Sequence, residues 1–216
     1  MSPNAPAPEV SGPELVILAA GASQRLGTCK ALVPLGGGPK SAPLARLLRA
    51  GAALQSQHRL IVSGEHHGEI AEFVGTPSQG LELCHNPHWE RGRTGSVRRA
   101  VQRLPGHDLC LAPVDVPLVS SEVFAHLAAS WRAAGAPPLG WLAPAYRGAA
   151  GLAYGHPVVI GRGLLSQLSE ATDALPLSHW RKLAQPLWCV EVQEASILDD
   201  LDGPEDLERL RSGLGS

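Results

Sequence analysis

The sequence lacks several features that mark other classes of protein. Its formal net charge is −2, so it has no cationic excess of the kind that a nucleic-acid-binding surface needs. It contains no run of about 18 uninterrupted apolar residues, which a membrane-spanning helix would require. Its first residues have neither the basic start nor the apolar centre of a secretory signal. We therefore expect no nucleic-acid partner and no membrane segment.

The four cysteines are widely scattered and form neither a CxxC pair nor a disulfide ladder. Such usage is typical of a reducing compartment, so we expect a cytoplasmic protein. One of the four, Cys29, lies in a loop beside cationic residues that could lower its pKa. Filling space beside that loop is the simpler interpretation of Cys29.

What the chain does contain is apolar material, with 44% hydrophobic and 18% charged residues in a length of 216. This composition suits one domain with a sizeable core. Residues 1–13 are rich in proline and alanine, and we expect a disordered tail there. Residues 14–216 contain no evident repeat or linker, and we interpret them as a single domain.

Apolar strand-like runs alternate with stretches that carry apolar residues at helical spacing. The predicted strands are 14–20, 58–64, 80–86 and 107–115, and the helices that follow them are 42–54, 68–74, 94–104 and 121–135. This alternation predicts an α/β fold in which a mostly parallel, twisted sheet carries helices on both faces. After residue 140 the pattern loosens into a more mixed region. Ligands bind at the carboxyl ends of parallel strands, where residues 21–30 and 113–117 lie.

The stretch LAAGASQRLGTCK, residues 18–30, follows the first predicted strand. Its small residues let backbone N–H groups approach a ligand closely, and a nest of such groups binds phosphate. Arg25 and Lys30 add positive charge, which has more effect in a dry cleft than on a surface. The stretch fits neither GxxxxGK[ST] nor GxGxxG, so a tight strand-to-helix turn with ordinary surface cations is the alternative interpretation.

Two other segments place carboxylates where a metal ion would be useful. Asp115 follows an apolar strand, and an acid at the tip of a parallel strand is a good magnesium ligand beside a polyphosphate. In SILDDLDGPEDLERL, residues 196–210, strand-like alternation points Asp200 and Asp202 the same way. With Asp115 they are candidate ligands of one Mg²⁺. The alternatives are a simple turn aspartate at Asp115 and a capping cluster before a helix that begins at Pro204.

The stretch LAAGASQRLGTCKALVPLGG resembles the LAAGxSxRxGxxK signature of nucleotidyltransferases with a dinucleotide-binding-like fold. More narrowly, the chain is similar to the MobA-like NTP transferases, which include molybdenum cofactor cytidylyl- and guanylyltransferases. Five stretches match in the family's order and span nearly the whole chain beyond its first residues: 18–30, 85–101, 112–119, 155–160 and 200–207. The resemblance implies a three-layer, Rossmann-like nucleotidyltransferase fold.

The resemblance also implies a role for each matching residue. Arg25 would neutralise the departing β,γ-phosphates, Lys30 would contact the α-phosphate, and Asp115 would be the main metal ligand. Asp202 would be the second ligand, with Asp200 beside it. The residues that would bind the nucleotide are Leu18, Ala19, Ala20, Gly21, Ala22, Ser23, Arg25, Lys30, Gly95 and Ser96. The residues that would line the acceptor side are Gly155, His156 and Pro157.

The reaction that the resemblance implies is Mg²⁺-dependent nucleotidyl transfer. A phosphate oxygen of the acceptor attacks the α-phosphate of CTP or GTP, and pyrophosphate leaves. The implied acceptor is the terminal phosphate of molybdopterin, with a molybdoenzyme as a further partner. The GHP and NPHW stretches look closer to the cytidylyltransferases, which favours CTP as the donor.

Two departures from the family's pattern keep alternatives open. DGPED stands where the family usually has DTPED, and the GDxGxR element that often follows GHP is absent from the sequence. One alternative is a nucleotidyltransferase that acts on a sugar phosphate or another phosphorylated alcohol. The other is a nucleotide-binding chaperone that inserts a cofactor without turnover.

Overall fold

A computed structural model describes residues 12–172 and 175–214 of the chain. Of the tail that the sequence predicts over residues 1–13, all but Gly12 and Pro13 lies outside the described residues. The strands are β1 (Glu14–Ala19), β2 (Arg59–Ser63), β3 (Leu81–His85), β4 (Leu109–Pro113), β5 (Trp141–Gly148), β6 (Gly151–Tyr154), β7 (Val158–Ile160) and β8 (Leu187–Val192). The helices are α1 (Pro43–Gly51), α2 (His67–Val74), α3 (Arg93–Arg103), α4 (Ser121–Ala133), α5 (Arg162–Glu170), α6 (Leu177–Leu183) and α7 (Pro204–Leu214).

The strands form one eight-stranded sheet in the order β3-β2-β1-β4-β7-β5-β6, with β8 beside β5. Pairing is parallel between β1 and β2, β1 and β4, β2 and β3, and β5 and β8. β7 runs antiparallel to both β4 and β5, so these two strands point the same way, and β6 is antiparallel to β5. The prediction of a mostly parallel sheet is confirmed.

The sheet is covered by helices on both faces. Alternate residues of β1 point to opposite sides, so that Leu15 and Ile17 pack into a core with α1, α2 and α4. Val16 and Leu18 pack into a second core with α3, α5 and α6. All six residues of β1 are buried, which is why the five residues after Glu14 form a continuous apolar run. The three-layer, Rossmann-like arrangement is therefore confirmed.

Up to residue 135 the observed elements differ little from the predicted ones. Beyond residue 135 the differences are larger. α3 begins at Arg93, one residue earlier than predicted. The residue before it, Gly92, has a φ of 93°, which is not helical, so the helix cannot extend further back. α5 was not predicted, since Gly163 near its start weakens its helical pattern. Within the described ranges, no helix has the length and apolarity to cross a membrane.

Backbone hydrogen bonds gather distant segments at the carboxyl ends of the central strands. Val114, just after β4, donates its N–H to the carbonyl of Leu18 in β1 (3.1 Å). Leu201, before α7, donates its N–H to the carbonyl of Asp115 (2.7 Å). The loop after β1, the end of β4 and the segment before α7 therefore meet at one edge of the sheet.

Candidate active site

The loop after β1 is folded around Ser23, whose φ of 52° lies in the left-handed region. The carbonyl of Ser23 accepts hydrogen bonds from the N–H groups of Leu26 and Gly27, both at 3.0 Å. Its hydroxyl accepts the N–H of Lys30 at 3.1 Å, which brings the far end of the loop back to the strand. A Cβ placed on Gly21 would meet no described atom within 4 Å, so the backbone there faces open space. The loop is ordered by its own bonds and open on one side.

The loop also approaches the chain after β2 very closely. A Cβ added to Gly64 would lie 2.2 Å from the carbonyl oxygen of Ala20 and 2.7 Å from Cβ of Trp89. Only glycine allows this approach, because real Cβ contacts are never so short. Gly64 therefore sets the distance between the loop and Trp89, which forms part of the wall facing it.

His66, which also follows β2, binds the loop after β1. Its Nε2 lies 3.1 Å from the carbonyl oxygen of Ala22, and its Nδ1 lies 2.7 Å from Oε1 of Glu69. Both partners accept hydrogen bonds, so the geometry favours the imidazolium, in which both ring nitrogens donate. Burial by itself lowers the pKa of His66, but the bonds to Glu69 and Ala22 raise it above its ordinary value.

Arg25 and Lys30 converge on one carboxylate, Asp202, from the other end of the chain. Lys30 Nζ lies 3.0 Å from Oδ1 of Asp202, and a guanidinium nitrogen of Arg25 lies 3.1 Å from Oδ2. The hydrogen bond from Lys30 lowers the pKa of Asp202, and the charges of Lys30 and Arg25 lower it further. The Lys30 side chain is 13% exposed and that of Arg25 is 73% exposed, so solvent screens Lys30 far less.

Asp115 has one oxygen paired and one left over. Its Oδ2 accepts a hydrogen bond from the guanidinium of Arg93 at 3.1 Å. Its Oδ1 is buried and has no hydrogen-bond partner among the residues that the structure describes. A buried carboxylate oxygen without a partner is costly, so such groups usually have a functional reason. Two free lone pairs on a hard oxygen suit a divalent cation.

Asp200 and Asp202 add two carboxylates near Asp115. Burial raises the pKa of Asp200, and the negative charges of Asp115 and Asp202 raise it further. A cation bound among the three would relieve this repulsion. However, the carboxylate oxygens of these three described residues do not all lie within 4.8 Å of one another. A shared ion would have to draw the carboxylates closer, and the ligand set stays a prediction.

The segment at 155–157 lies across the site from the loop. A Cβ on Gly155 would lie 2.3 Å from the carbonyl oxygen of Ile197, and this same oxygen accepts the N–H of His156 (3.1 Å). Nδ1 of His156 is buried and unpaired within the described ranges. Burial lowers the pKa of His156, and the charge of Arg93 lowers it further. The lowered pKa favours the neutral imidazole of His156, whose Nδ1 has no partner in the described part of the chain.

Four adjoining pockets surround these groups. The central pocket, about 320 Å³, lies between the loop after β1 and the start of α3, and the outer pocket, about 330 Å³, surrounds Arg25. The carboxylate pocket, about 540 Å³, extends from Asp115 to His156. The apolar pocket, about 520 Å³, is formed against β4, β5, β7 and α6. Arg93 lines the central, carboxylate and apolar pockets, so it stands where they meet.

Most of the predicted site residues line these pockets. Those on the central pocket are Leu18, Ala19, Ala20, Gly21, Ser23, Lys30, Ser96 and Asp115. Ala22 and Arg25 line the outer pocket, and Gly155, His156, Asp200 and Asp202 line the carboxylate pocket. Gly95 and Pro157 are not among the described residues that line any of the four. Gly95 lies in the first turn of α3 beside Asn86, and the binding roles of Gly95 and Pro157 stay predictions.

Sequence reasoning missed Arg93 and Trp89, although both lie in the stretch 85–101 that was singled out. A signal for Arg93 was available, because a cation at the first residue of a helix opposes the helix dipole and so indicates a nearby anion. Of the two interpretations of Cys29, the alternative of a lowered pKa is not supported. Cys29 is 3% exposed, and burial raises its pKa to about 11, which supports the space-filling interpretation.

Comparison with known proteins shows the family to which the chain is related. The family model for the MobA-like NTP transferase domain matches residues 15–187. The chain is 27% identical over 198 residues to a molybdenum cofactor cytidylyltransferase of Escherichia coli K12, covering 91% of this chain and 94% of that protein.

Solved structures show the same fold. Rv0371c from Mycobacterium tuberculosis H37Rv superposes with a TM-score of 0.73 at 21% identity, over 94% of this chain and 98% of that one. Its complex with manganese superposes with a TM-score of 0.68 at 18% identity, over 93% and 98%. A nucleotidyl transferase from Methanothermobacter thermautotroptrophicus gives a TM-score of 0.73 at 21% identity, over 93% and 96%.

Proposed function

The chain belongs to the MobA-like NTP transferase family, and we propose that it transfers CMP from CTP to the terminal phosphate of molybdopterin. GTP is the alternative donor. The observation that carries the proposal is the unpaired, buried Oδ1 of Asp115, which has no partner in the described residues. Asp115 lines the central pocket together with Gly21, whose backbone is open on one side, and Lys30. Sequence similarity to the cytidylyltransferase of E. coli supports CTP and molybdopterin.

The loop after β1 would hold the triphosphate. Lys30 and Arg25 already bind the two oxygens of one anion, Asp202, and phosphate oxygens can take the place of that carboxylate. Lys30, at the junction of the central and outer pockets, would bind the α-phosphate. Arg25 would neutralise the departing β,γ-phosphates. Preorganised cations of this kind stabilise charge that develops in a transition state.

Magnesium would be held by Asp115, with Asp202 and Asp200 completing the protein's share of the ligands. The residues fit a hard cation, since Asp115 offers a free buried oxygen, and a cation would offset the burial and the neighbouring carboxylates that raise the pKa of Asp200. Bound Mg²⁺ would supply positive charge to the triphosphate. The manganese complex of the M. tuberculosis relative supports a divalent ion in this fold.

Arg93 and His156 would position the acceptor phosphate. A phosphomonoester is ionised near neutral pH, so its attack requires alignment and charge neutralisation rather than a general base. The neutral state of His156 agrees with a role as a hydrogen-bonding group. In the proposed step an oxygen of the acceptor phosphate bonds to the α-phosphorus of the nucleotide. The bond from the α-phosphorus to the oxygen that bridges the α- and β-phosphates breaks. Pyrophosphate leaves with that electron pair.

The apolar pocket favours a flat heteroaromatic acceptor body. Leu111, Val158 and Leu177 contribute to its walls, together with Trp141. A flat ring can stack on such walls, while polar residues of the same lining, such as Thr94 and Ser178, can bind its polar edge. Arg181 also lines this pocket, beside Leu177, in the segment where the sequence departs from GDxGxR. These contacts support molybdopterin as the acceptor over a sugar phosphate.

The proposed location is the cytoplasm. All four cysteines are free thiols, and three of them are buried. Free buried thiols suit a reducing compartment. A molybdoenzyme that takes up the product is the further partner that we propose.

Two measurements test the proposal. The first is a thermal-shift panel with CTP, GTP, ATP and UTP, each with Mg²⁺, on the wild type, Lys30→Met and Lys40→Met. We expect a selective shift with CTP that is lost in Lys30→Met and kept in Lys40→Met, because the exposed Lys40 lines none of the four pockets in the described chain. No shift with any nucleotide would count against the proposed donor site.

The second measurement is pyrophosphate release from the preferred nucleotide with molybdopterin or glucose 1-phosphate as acceptor. Release that requires molybdopterin is the expected result. Release with glucose 1-phosphate alone would favour the sugar-phosphate alternative. Nucleotide binding without release under either condition would favour a non-catalytic chaperone.

A further inference from the structure

A second group of ligand-type residues lies at the edge of the sheet opposite the candidate active site. It consists of Glu14, His58 and His107, which we call the basal cluster. Glu14 is the first residue of β1, His58 directly precedes β2, and His107 lies two residues before β4. One ligand atom from each residue lies within 4.8 Å of the other two. Three chain segments that are far apart in sequence thus meet here.

Glu14 is a buried carboxylate without a permanent cationic partner. The residue is 2% exposed, and Oε2 accepts the N–H of His58 at 2.7 Å. Oε1 lies 3.4 Å from Nδ1 of His107. Among the ion pairs of the described residues, none joins Glu14 to a lysine or an arginine. Buried charges are normally paired or bound to a metal, so the cluster is short of positive charge.

The cluster is also held in place by its backbone. Glu14 donates its N–H to the carbonyl of Asp108 (2.9 Å), which joins β1 to the chain just after His107. The rings of His58 and His107 lie edge to face, with centroids 5.6 Å apart. His58 is exposed and His107 is partly exposed, so an ion can reach the cluster from solvent. The ligands are therefore close together, supported and accessible.

We propose that the basal cluster binds one first-row transition ion, with Zn²⁺ as the best fit. Two imidazoles and one carboxylate match the ligand preference of Zn²⁺, and water would complete a four-coordinate site. Ligand-to-metal distances of about 2 Å require only a small inward movement of the His58 and His107 rings. The ion supplies the positive charge that Glu14 lacks and ties the starts of β1, β2 and β4 together. Its role is structural, since it lies at the other edge from Asp115.

The other group of three potential ligands in the described chain serves as a contrast. It consists of Cys29, His66 and Glu69. Both nitrogens of His66 are already bonded, to Ala22 and to Glu69, and burial raises the pKa of the Cys29 thiol to about 11. A metal there would have to displace existing bonds and bind a thiol that resists ionisation. Zinc is therefore assigned to the basal cluster.

The test is zinc binding to metal-free full-length protein, measured by isothermal titration calorimetry and by the visible absorbance of the Co²⁺ form. We expect one ion per chain and a rise in Tm with Zn²⁺. His58→Asn and His107→Asn should each weaken binding by more than about tenfold, the lower end of the loss from removing even an outer-shell partner. His126→Asn, on the exposed face of α4, is the matched control and should bind as the wild type does.

Two results would overturn the assignment. One is the absence of stoichiometric Zn²⁺ binding by the wild type. The other is unchanged binding in the His58→Asn, His107→Asn double variant, which would move the ion elsewhere. Both substitutions lie on accessible residues and leave Glu14 in place, and circular dichroism checks their folding. None of these readouts depends on nucleotide or acceptor, so failure here leaves the proposed transferase activity untouched.

Discussion

Strand β4 carries a carboxylate just outside each of its ends, and the two have opposite surroundings. Asp108 precedes the strand and accepts hydrogen bonds from Nε1 of Trp131 (3.0 Å) and from the backbone N–H of Arg162 (2.8 Å). The guanidinium of Arg162 adds a third contact. Asp115 follows the strand and has one contact, from Arg93, while its other buried oxygen is unpaired in the described ranges.

The difference separates a structural carboxylate from one that is available for chemistry. At Asp108 every strong acceptor position is used by the fold, so the group contributes to stability. At Asp115 the fold leaves acceptor capacity free at the carboxyl ends of the parallel strands, where ligands bind in such sheets. Substitution at the two positions should therefore affect different properties of the protein.

The largest expected effect is the loss of activity in Asp115→Asn. The amide keeps the size of the side chain but removes the charge that a divalent cation and the triphosphate site require. We expect turnover to fall by roughly a thousandfold or more, with Tm equal to or above that of the wild type. Pyrophosphate release and thermal melting measure the two quantities. Activity near the wild-type level would remove Asp115 from the mechanism.

A second comparison, between Lys30 and Arg25, is expected to give the next largest effect. Both cations bind Asp202, but the Lys30 side chain is much less exposed. Solvent therefore screens its charge less, and its attraction to a phosphate is stronger. Turnover should fall about a hundredfold in Lys30→Met and about tenfold in Arg25→Met. Lys40→Met is the control and should match the wild type. Equal losses in Lys30→Met and Arg25→Met would show that exposure does not set their contributions.

Asp108→Asn should lower stability without lowering turnover, the reverse of what we expect for Asp115→Asn. It leaves the Arg162 N–H and guanidinium facing an amide, and we expect unfolding to become easier by about 2–3 kcal/mol. Turnover per folded molecule should not change. Urea denaturation measures the stability, and Asp199→Asn, which breaks an exposed pair with Arg209, is a control with little expected effect. A stable but inactive Asp108→Asn would contradict the division between the two ends of β4.

The half of the site around the loop after β1 could be predicted from the sequence. Apolar runs followed by small and charged residues fix where strands end, and parallel strands bring those ends to one edge. The resemblance to a known signature then assigned Arg25, Lys30 and Asp115. The proximity of Asp202 to the loop was expected as well, because the matching segments come from one binding site.

Contacts that side chains make between separate loops could not be predicted, whether to another side chain or to the backbone. The pairing of Arg93 with Asp115 spans 22 residues and depends on where Gly92 starts α3. The bond from His66 to Ala22 spans 44 residues and depends on the close approach at Gly64. Periodicity reports which face of an element is buried, but it carries no information on how two loops meet.

The smallest expected effect is that of substituting His66 on CTP binding, and this effect should depend on pH. Its pKa in the folded protein is raised above 6.5, so the bond that holds the loop is complete below about pH 6.5 and is lost as the pH rises through the raised pKa. His66→Gln can donate to Ala22 but cannot become charged. At low pH we expect CTP to bind the variant about threefold more weakly than the wild type.

The ionisation of CTP itself changes in the same pH range, so affinities at a single pH cannot isolate His66. The informative quantity is the ratio of the two dissociation constants, variant over wild type, measured by calorimetry from pH 5.5 to 8.5. The nucleotide's own titration cancels in this ratio, which should decline toward one as wild-type His66 loses its proton. A ratio that stays constant across the range would mean that the charge on His66 does not hold the loop, and that the Ala22 contact contributes only through its geometry.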